Sequence, residues 1–187
     1  MFRFRMSAAG GEEMDFGLAR FTDGISDWRP IWPVFADTFY AYLRGQFRSV
    51  GSEGLGKPWT ALSANYAAWK AKHFPGKTIL ERTGALVASL TSRTAPGAVY
   101  QAQAKSLSLG TSIPYGLYHQ TGTSRMPQRK EIVFTKSETV ELAKLAQMYL
   151  VEIATKVGFR QGLTPLEQSK LSAVRAKYSS WPAGGGA

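Results

Sequence analysis

The sequence has no cysteine, so a disulfide framework, a thiolate metal site and a cysteine nucleophile are all excluded. Histidine is nearly as scarce. His73 and His119 stand alone, without H-E-x-x-H spacing and without a neighbouring carboxylate to complete a metal shell. No serine sits in a G-x-S-x-G elbow, and the 13 acidic residues include no pair placed by sequence to work as acid and base. These gaps argue against an enzyme and against a resident metal or organic cofactor. Long apolar runs are missing too: nothing approaches the roughly 20 residues of a membrane span, so no membrane partner is expected. The opening MFRFRMSAAGGEEMDFG lacks an apolar stretch of about 7 to 15 residues and is not expected to act as a secretory leader.

What is present is ordinary for a folded soluble chain: 187 residues, 44% apolar and 12% aromatic, enough for one domain with a core plus terminal appendages. The net charge of +10 is unevenly spread. Residues 1–50 are balanced, with 6 Lys/Arg against 6 Asp/Glu, whereas residues 51–136 carry 11 against 3. Such a bias suits contact with nucleic acid or with an acidic protein surface, although a solvated basic face would give the same count.

One short stretch invites a nucleotide reading. In GSEGLGKPW, Gly51, Gly56 and Lys57 have the G-x-x-x-x-G-K spacing of a phosphate-cradling loop. A working loop needs Ser or Thr next, for its hydroxyl and its N–H, and Pro58 has neither. The segment also follows a helical pattern rather than a strand. Ile31, Val34, Phe35, Thr38, Phe39, Tyr42, Leu43 and Phe47 recur at steps of three and four, drawing an apolar stripe on a helix predicted over about 28 to 48. Residues 49–58 are therefore read as a glycine-rich loop that binds no nucleotide.

Residues 1–22 show no stable period and read as a flexible arm. After the loop, Ser63 is placed to cap a short helix bearing Tyr66, Ala67, Trp69 and Lys70, and Thr83 to cap another that buries Leu86, Val87 and Leu90. The two form a weak helix-turn-helix candidate over 63–90, with a connection longer than the usual three or four residues. The period then changes to two. VYQAQ and SLSLGTS suggest a hairpin around Ala104 and Lys105. Pro114 starts a short helical turn ended by Gly122, and a basic loop leads into a third strand predicted at 131–135. Ser137 is placed to cap a helix whose stripe runs from Val140 through Leu145, Tyr149 and Ile153 to Val157. Thr164-Pro165-Leu166-Glu167 is a capping-box pattern that predicts a helix over 165–178, followed by a flexible tail. The aromatics Trp59, Trp69, Tyr115 and Tyr118 have the chemistry to stack on bases, but their spacings favour core packing. His119, between a tyrosine and an amide, reads as a packed structural group.

The order of these elements carries more information than any one of them. A long aromatic helix is followed by GKPWTALS (Gly56 to Ser63), then ILERTGALVASL (Ile79 to Leu90), then LGTSIPYGLYHQTG (Leu109 to Gly122) and a basic loop. Over residues 26–157 this order resembles the phage virion morphogenesis family, the tail-completion or neck proteins of Mu-like and related tailed phages. The resemblance implies an α+β fold: a small antiparallel sheet packed by a long N-terminal amphipathic helix, two short helices and a C-terminal helix. It also implies an arm over 1–22, the domain over 23–157, and a C-terminal helix and tail over 158–187. Trp59, Leu62, Ser63, Leu80, Thr83, Gly84, Leu86, Tyr115, His119, Gln120 and Gly122 become its structural motif. In that reading Trp59 and Leu62 pack on the long helix, while His119 and Gln120 bond backbone at a corner. Function would be structural, at the head–tail neck of a virion assembled in host cytoplasm, in a homo-oligomeric ring with a hexamer preferred. Neighbouring neck, portal-adaptor or tail proteins are the implied partners, with transient contact to DNA in the lumen. The residues expected at the interface are Arg125, Arg129 and Lys130, on a loop projecting from the sheet. A basic DNA-binding protein using the 63–90 helices is the alternative.

Overall fold

The structure is a computed structural model that describes residues 11–158, 163–178, 180 and 182, with side chains from Ala19 onward. Among the described residues ten elements follow in chain order. Helix α1 (Gly11–Ser26) leads through a short corner to α2 (Trp32–Arg48), the one-turn α3 (Ser52–Leu55), α4 (Ala64–His73) and α5 (Ala85–Thr91). Strands β1 (Ala98–Ala102) and β2 (Leu107–Thr111) form the hairpin, and α6 (Pro114–Thr121), α7 (Lys136–Lys156) and α8 (Pro165–Lys177) complete the chain. Residues 11–22, read from sequence as part of an arm, form most of α1. Residues 1–10 and the final glycines lie outside the described residues.

The stripe on α2 is buried as its spacing requires, with Ile31, Val34 and Leu43 fully enclosed. It joins two apolar clusters end to end. At its start Ile31, Trp32 and Val34 meet Leu145, Tyr149 and Ile153 of α7, Leu171 of α8, and Phe21 and Ile25 of α1. Further along, Phe39, Leu43 and Phe47 meet Trp59, Leu86 and Leu90, with Tyr100 and Leu109 of the hairpin packed against them. The hairpin is antiparallel, pairing Ala98 with Thr111 and Ala102 with Leu107. Its tip is fastened to the α1–α2 corner, where the Trp28 amide donates to the Ala104 carbonyl and Trp32 Nε1 to that of Gln103.

Three local expectations are corrected. Residues 131–135 form no strand, because side chains occupy the backbone groups a strand would pair. Gln120 Oε1 accepts from the N–H of Glu131 (3.0 Å) and of Ile132 (3.1 Å), and its Nε2 donates to the Ile132 carbonyl at 2.8 Å. The cap of α7 is Thr135 rather than Ser137: Glu138 reaches back to the Thr135 N–H at 2.9 Å, closing a capping box. Before α5 the N-cap is Gly84, in a left-handed conformation (φ 85°), while Thr83 Oγ1 accepts a long 3.4 Å bond from Ala85. The Thr164 capping box on α8 forms as read.

Candidate functional site

The glycine-rich loop closes around a tryptophan, not around a phosphate. Gly51 adopts φ 91°, and a Cβ there would lie 2.6 Å from the Trp59 ring, so only glycine fits. Trp59 packs edge-on against Phe47 at 5.6 Å. Its Nε1 donates to the Lys130 carbonyl at 2.9 Å, and the fully buried Gln46 bonds Gly54 N–H at 2.7 Å. Trp59 is thus packed against the end of α2, and the loop braces residue 130.

Leu62 lies elsewhere, on the wall of a groove of about 770 Å³. This groove runs between the 61–70 segment, the 80–86 turn, α6 and the basic loop, so it gathers most of the residues singled out from the sequence motifs. Leu62, Leu80, Leu86, Tyr115, Met126 and Pro127 give it apolar walls. Leu80 is held at φ 65°, a conformation that side chains rarely adopt and that here places residue 80 at the groove. Gly116 lets α6 approach α5 and β2, since a Cβ there would lie 3.1 Å from Leu86 and 3.2 Å from Thr111.

The groove is basic. Lys70 is only 5% exposed and its ammonium donates to the Thr78 carbonyl. Arg129 is also 5% exposed, with Nε donating to the Thr60 carbonyl at 2.7 Å and an Nη to that of Ala61 at 3.0 Å. Burial pulls the pKa of both below their ordinary values. Both cations have carbonyl partners and, among the described residues, no carboxylate ion pair, while the charge of Glu81 partly offsets the effect of burial on Lys70. Glu81 is the single acidic residue among the described lining residues, and Lys77 holds it at 2.8 Å. Arg82 and Arg125 are exposed at the rim. Burial, then the charge of Arg129, lowers the His119 pKa, which favours the neutral imidazole. Its Nδ1 is buried without a partner, so the expected backbone bond at the corner comes from Gln120 and not from the His119 ring.

Arg129 corrects the projecting-loop expectation. Its backbone is fixed to the His119 carbonyl at 2.8 Å and its guanidinium is turned inward, so Arg125, Arg129 and Lys130 do not share one exposed tip. Arg125 and Lys130 are exposed, and the Lys130 carbonyl is taken by Trp59. Three aromatics expected in the core are instead on the surface, Trp69 (41% exposed), Tyr115 (43%) and Tyr118 (53%), and of these Tyr115 lines the groove. On α4, Tyr66, Trp69 and His73 form a stacked ladder, with ring separations of 5.5 Å and 4.8 Å. Helical periodicity showed that these rings share a face, and it could not show how much of that face stays exposed. The connection between α4 and α5 spans residues 74–84, and α5 buries Leu86, Ser89 and Leu90.

No group of three or more His, Asp or Glu side chains stands close enough to hold a metal ion among the described residues. No described helix is long and apolar enough to cross a membrane. The described residues thus form an α+β chain with a basic groove edged by exposed aromatic rings. A model of the phage virion morphogenesis family matches residues 12–150, most of the chain, and the chain belongs to that family. Its role is accordingly in virion structure or assembly, in a family defined by morphogenesis and not by an enzymatic activity. The match takes in residues 12–25, which the sequence reading left outside the resemblance. No curated protein and no solved structure matches the chain.

Proposed function

We propose that this chain is a structural protein of the head–tail neck, a tail-completion or connector ring subunit needed to join tail to head. The observation that carries this reading is the family match over residues 12–150. The site supports it physically. A groove whose buried cations donate to carbonyl oxygens, with exposed Tyr66 and Tyr115 at its rim, presents an electropositive aromatic surface suited to docking an acidic protein face. A closed ring, with a hexamer preferred for tails of sixfold symmetry, would place such surfaces between copies and toward neighbouring neck, portal-adaptor or tail proteins.

The test is genetic and structural together. Removing the chain from a phage that encodes it should leave filled heads and separate tails that do not join, and supplying it in trans should restore whole particles. Finished, infectious particles in its absence would defeat the proposal.

A further inference from the structure

The groove has two chemically distinct linings, and together they define what fits it. Leu62, Leu80 and Met126 give it apolar wall, while Lys70, Arg82, Arg125 and Arg129 stand against the single carboxylate of Glu81. Glu81 acts on Lys70 and offsets part of the effect of burial there, but its carboxylate is already held by Lys77 at 2.8 Å. Among the described residues no carboxylate pairs with Arg82, Arg125 or Arg129, so the groove stays electropositive with Glu81 counted. Two of these cations are fixed in place by the fold. The Thr60 and Ala61 carbonyls take two of the five N–H donors of Arg129, and among the described residues no acceptor meets the others. Arg82 lies over the Phe74 ring at 6.0 Å, a cation–π contact that orients its guanidinium at the rim. Charges set in position this way lower the ordering cost of binding.

The occupant must therefore be anionic and partly apolar, and three candidates differ in how well they meet both demands. A DNA duplex offers phosphate and sugar along its outside, which suits the cations but gives Leu62, Leu80 and Met126 nothing to pack on. A second copy of this chain offers no cluster of free carboxylates on its described surface. Asp27 pairs with Arg29, Glu141 with Lys177, and Glu152 with Lys156 and Arg175, while Glu138 and Glu167 close capping boxes and Glu131 is buried. Asp37 accepts from Ser180, and the exposed Asp23 and Glu53 lie toward opposite ends of α2. A segment of a different protein that interleaves carboxylates with apolar side chains meets both demands. The cavity of about 770 Å³ is concave and bounded by four segments, a shape that encloses an inserted stretch of chain.

We infer that the groove receives one acidic segment of a different virion protein, with its carboxylates against Arg82, Arg125 and Arg129 and its apolar side chains against Leu62, Leu80 and Met126. This contact rests on the neck reading and narrows its partner at this site to a neighbouring protein that inserts a stretch of chain. The exposed rings of Tyr66 and Tyr115, which also line the groove, gain cover from the same segment.

The test replaces Tyr115 of the full chain with the photoreactive benzoylphenylalanine and irradiates assembled particles. Adducts should map to a segment of a different virion protein that carries both carboxylates and apolar side chains. An adduct to a second copy of this chain, an adduct to the genome, or no adduct in particles that contain the chain would each overturn the inference and leave the neck reading standing. Absence of the chain from finished particles would bring down the neck reading, and the inference with it. Charge reversal gives a second readout. R82E/R125E, shown folded by circular dichroism, should lower the yield of joined particles by roughly tenfold or more, and lysines placed for the carboxylates of the crosslinked segment should restore it. R48E/K105E makes the same change of charge at exposed residues outside the groove, and its heads and tails should join normally. An equal loss from that pair, or failure of the lysine exchange to recover particles, would sink the proposal.

Discussion

Glu131 offers the sharpest physical test of the structure. Its side chain is 2% exposed, its Oε1 has no hydrogen-bond partner, and burial pushes its pKa up to about 8, only partly opposed by a bond from its own backbone N–H. The folded protein therefore holds this carboxyl protonated at neutral pH, while the unfolded chain releases the proton near the ordinary value of 4.5. A raised acid pKa means that the folded state binds more protons than the unfolded state between those values, so stability falls as pH rises from about 4.5 to about 8 and then levels. At about 1.4 kcal/mol for each pH unit, the loss between pH 5 and pH 8 amounts to roughly 3 to 4 kcal/mol. Glu131→Gln replaces the acid with a neutral isostere and should remove this slope. Urea denaturation followed by tryptophan fluorescence, for both proteins from pH 5 to pH 9, measures the effect. The two curves should lie close together near pH 5, with the variant several kcal/mol more stable at pH 8. His119 titrates in part of the same window, but it is common to both proteins and cancels in the difference. Parallel curves would refute the reasoning and show that Glu131 ionises in the fold.

Trp59→Ala should cost roughly 3 to 5 kcal/mol, since it empties a buried ring site and strands the Lys130 carbonyl; an unchanged melting temperature would show that the ring is not buried. Arg129→Ser should destabilise the subunit by about 2 kcal/mol or more through loss of two charged bonds to Thr60 and Ala61, measured by thermal melting. The exposed pair Arg125→Ser and Lys130→Ser should instead leave melting unchanged while heads and tails fail to join. If empty heads join such tails and only filled heads fail, the loop meets DNA phosphate and not protein. Lys57→Ala should assemble as wild type, and micromolar ATP binding by calorimetry would overturn the reading of the glycine loop.

Where local chemistry decides the outcome, the sequence was legible. The apolar stripe on α2, the hairpin over 98–111, the α6 turn ended by Gly122 and the Thr164 capping box all follow from periodicity and cap residues. Errors fell where a distant side chain outcompeted a local preference. Ile132, Val133 and Phe134 have strand propensity, but Gln120 takes the backbone groups of residues 131 and 132, and no pattern in 131–135 announces that. Arg129 looked like one of three exposed cations because neighbouring charges in a loop are usually solvated. The carbonyls of Thr60 and Ala61, nearly seventy residues earlier, draw it inward. The groove itself combines segments from four parts of the chain, so its members were visible one by one as motif residues while their convergence was not. Helix α1 escaped because its glycines and charges blur its period. Only contact with α7, where Gly24 meets Ile153, shows the face it buries.

The central claim, a structural role at the head–tail junction, is tested most directly by a cryo-electron microscopy reconstruction of the assembled particle at a resolution that traces this chain. The account requires density for α2, the hairpin and α7 in a closed ring between the portal and the tail tube, with copies related by the symmetry of the tail. Density for the chain at the distal tip of the tail or within the capsid shell, or no copies in the finished particle, would contradict it.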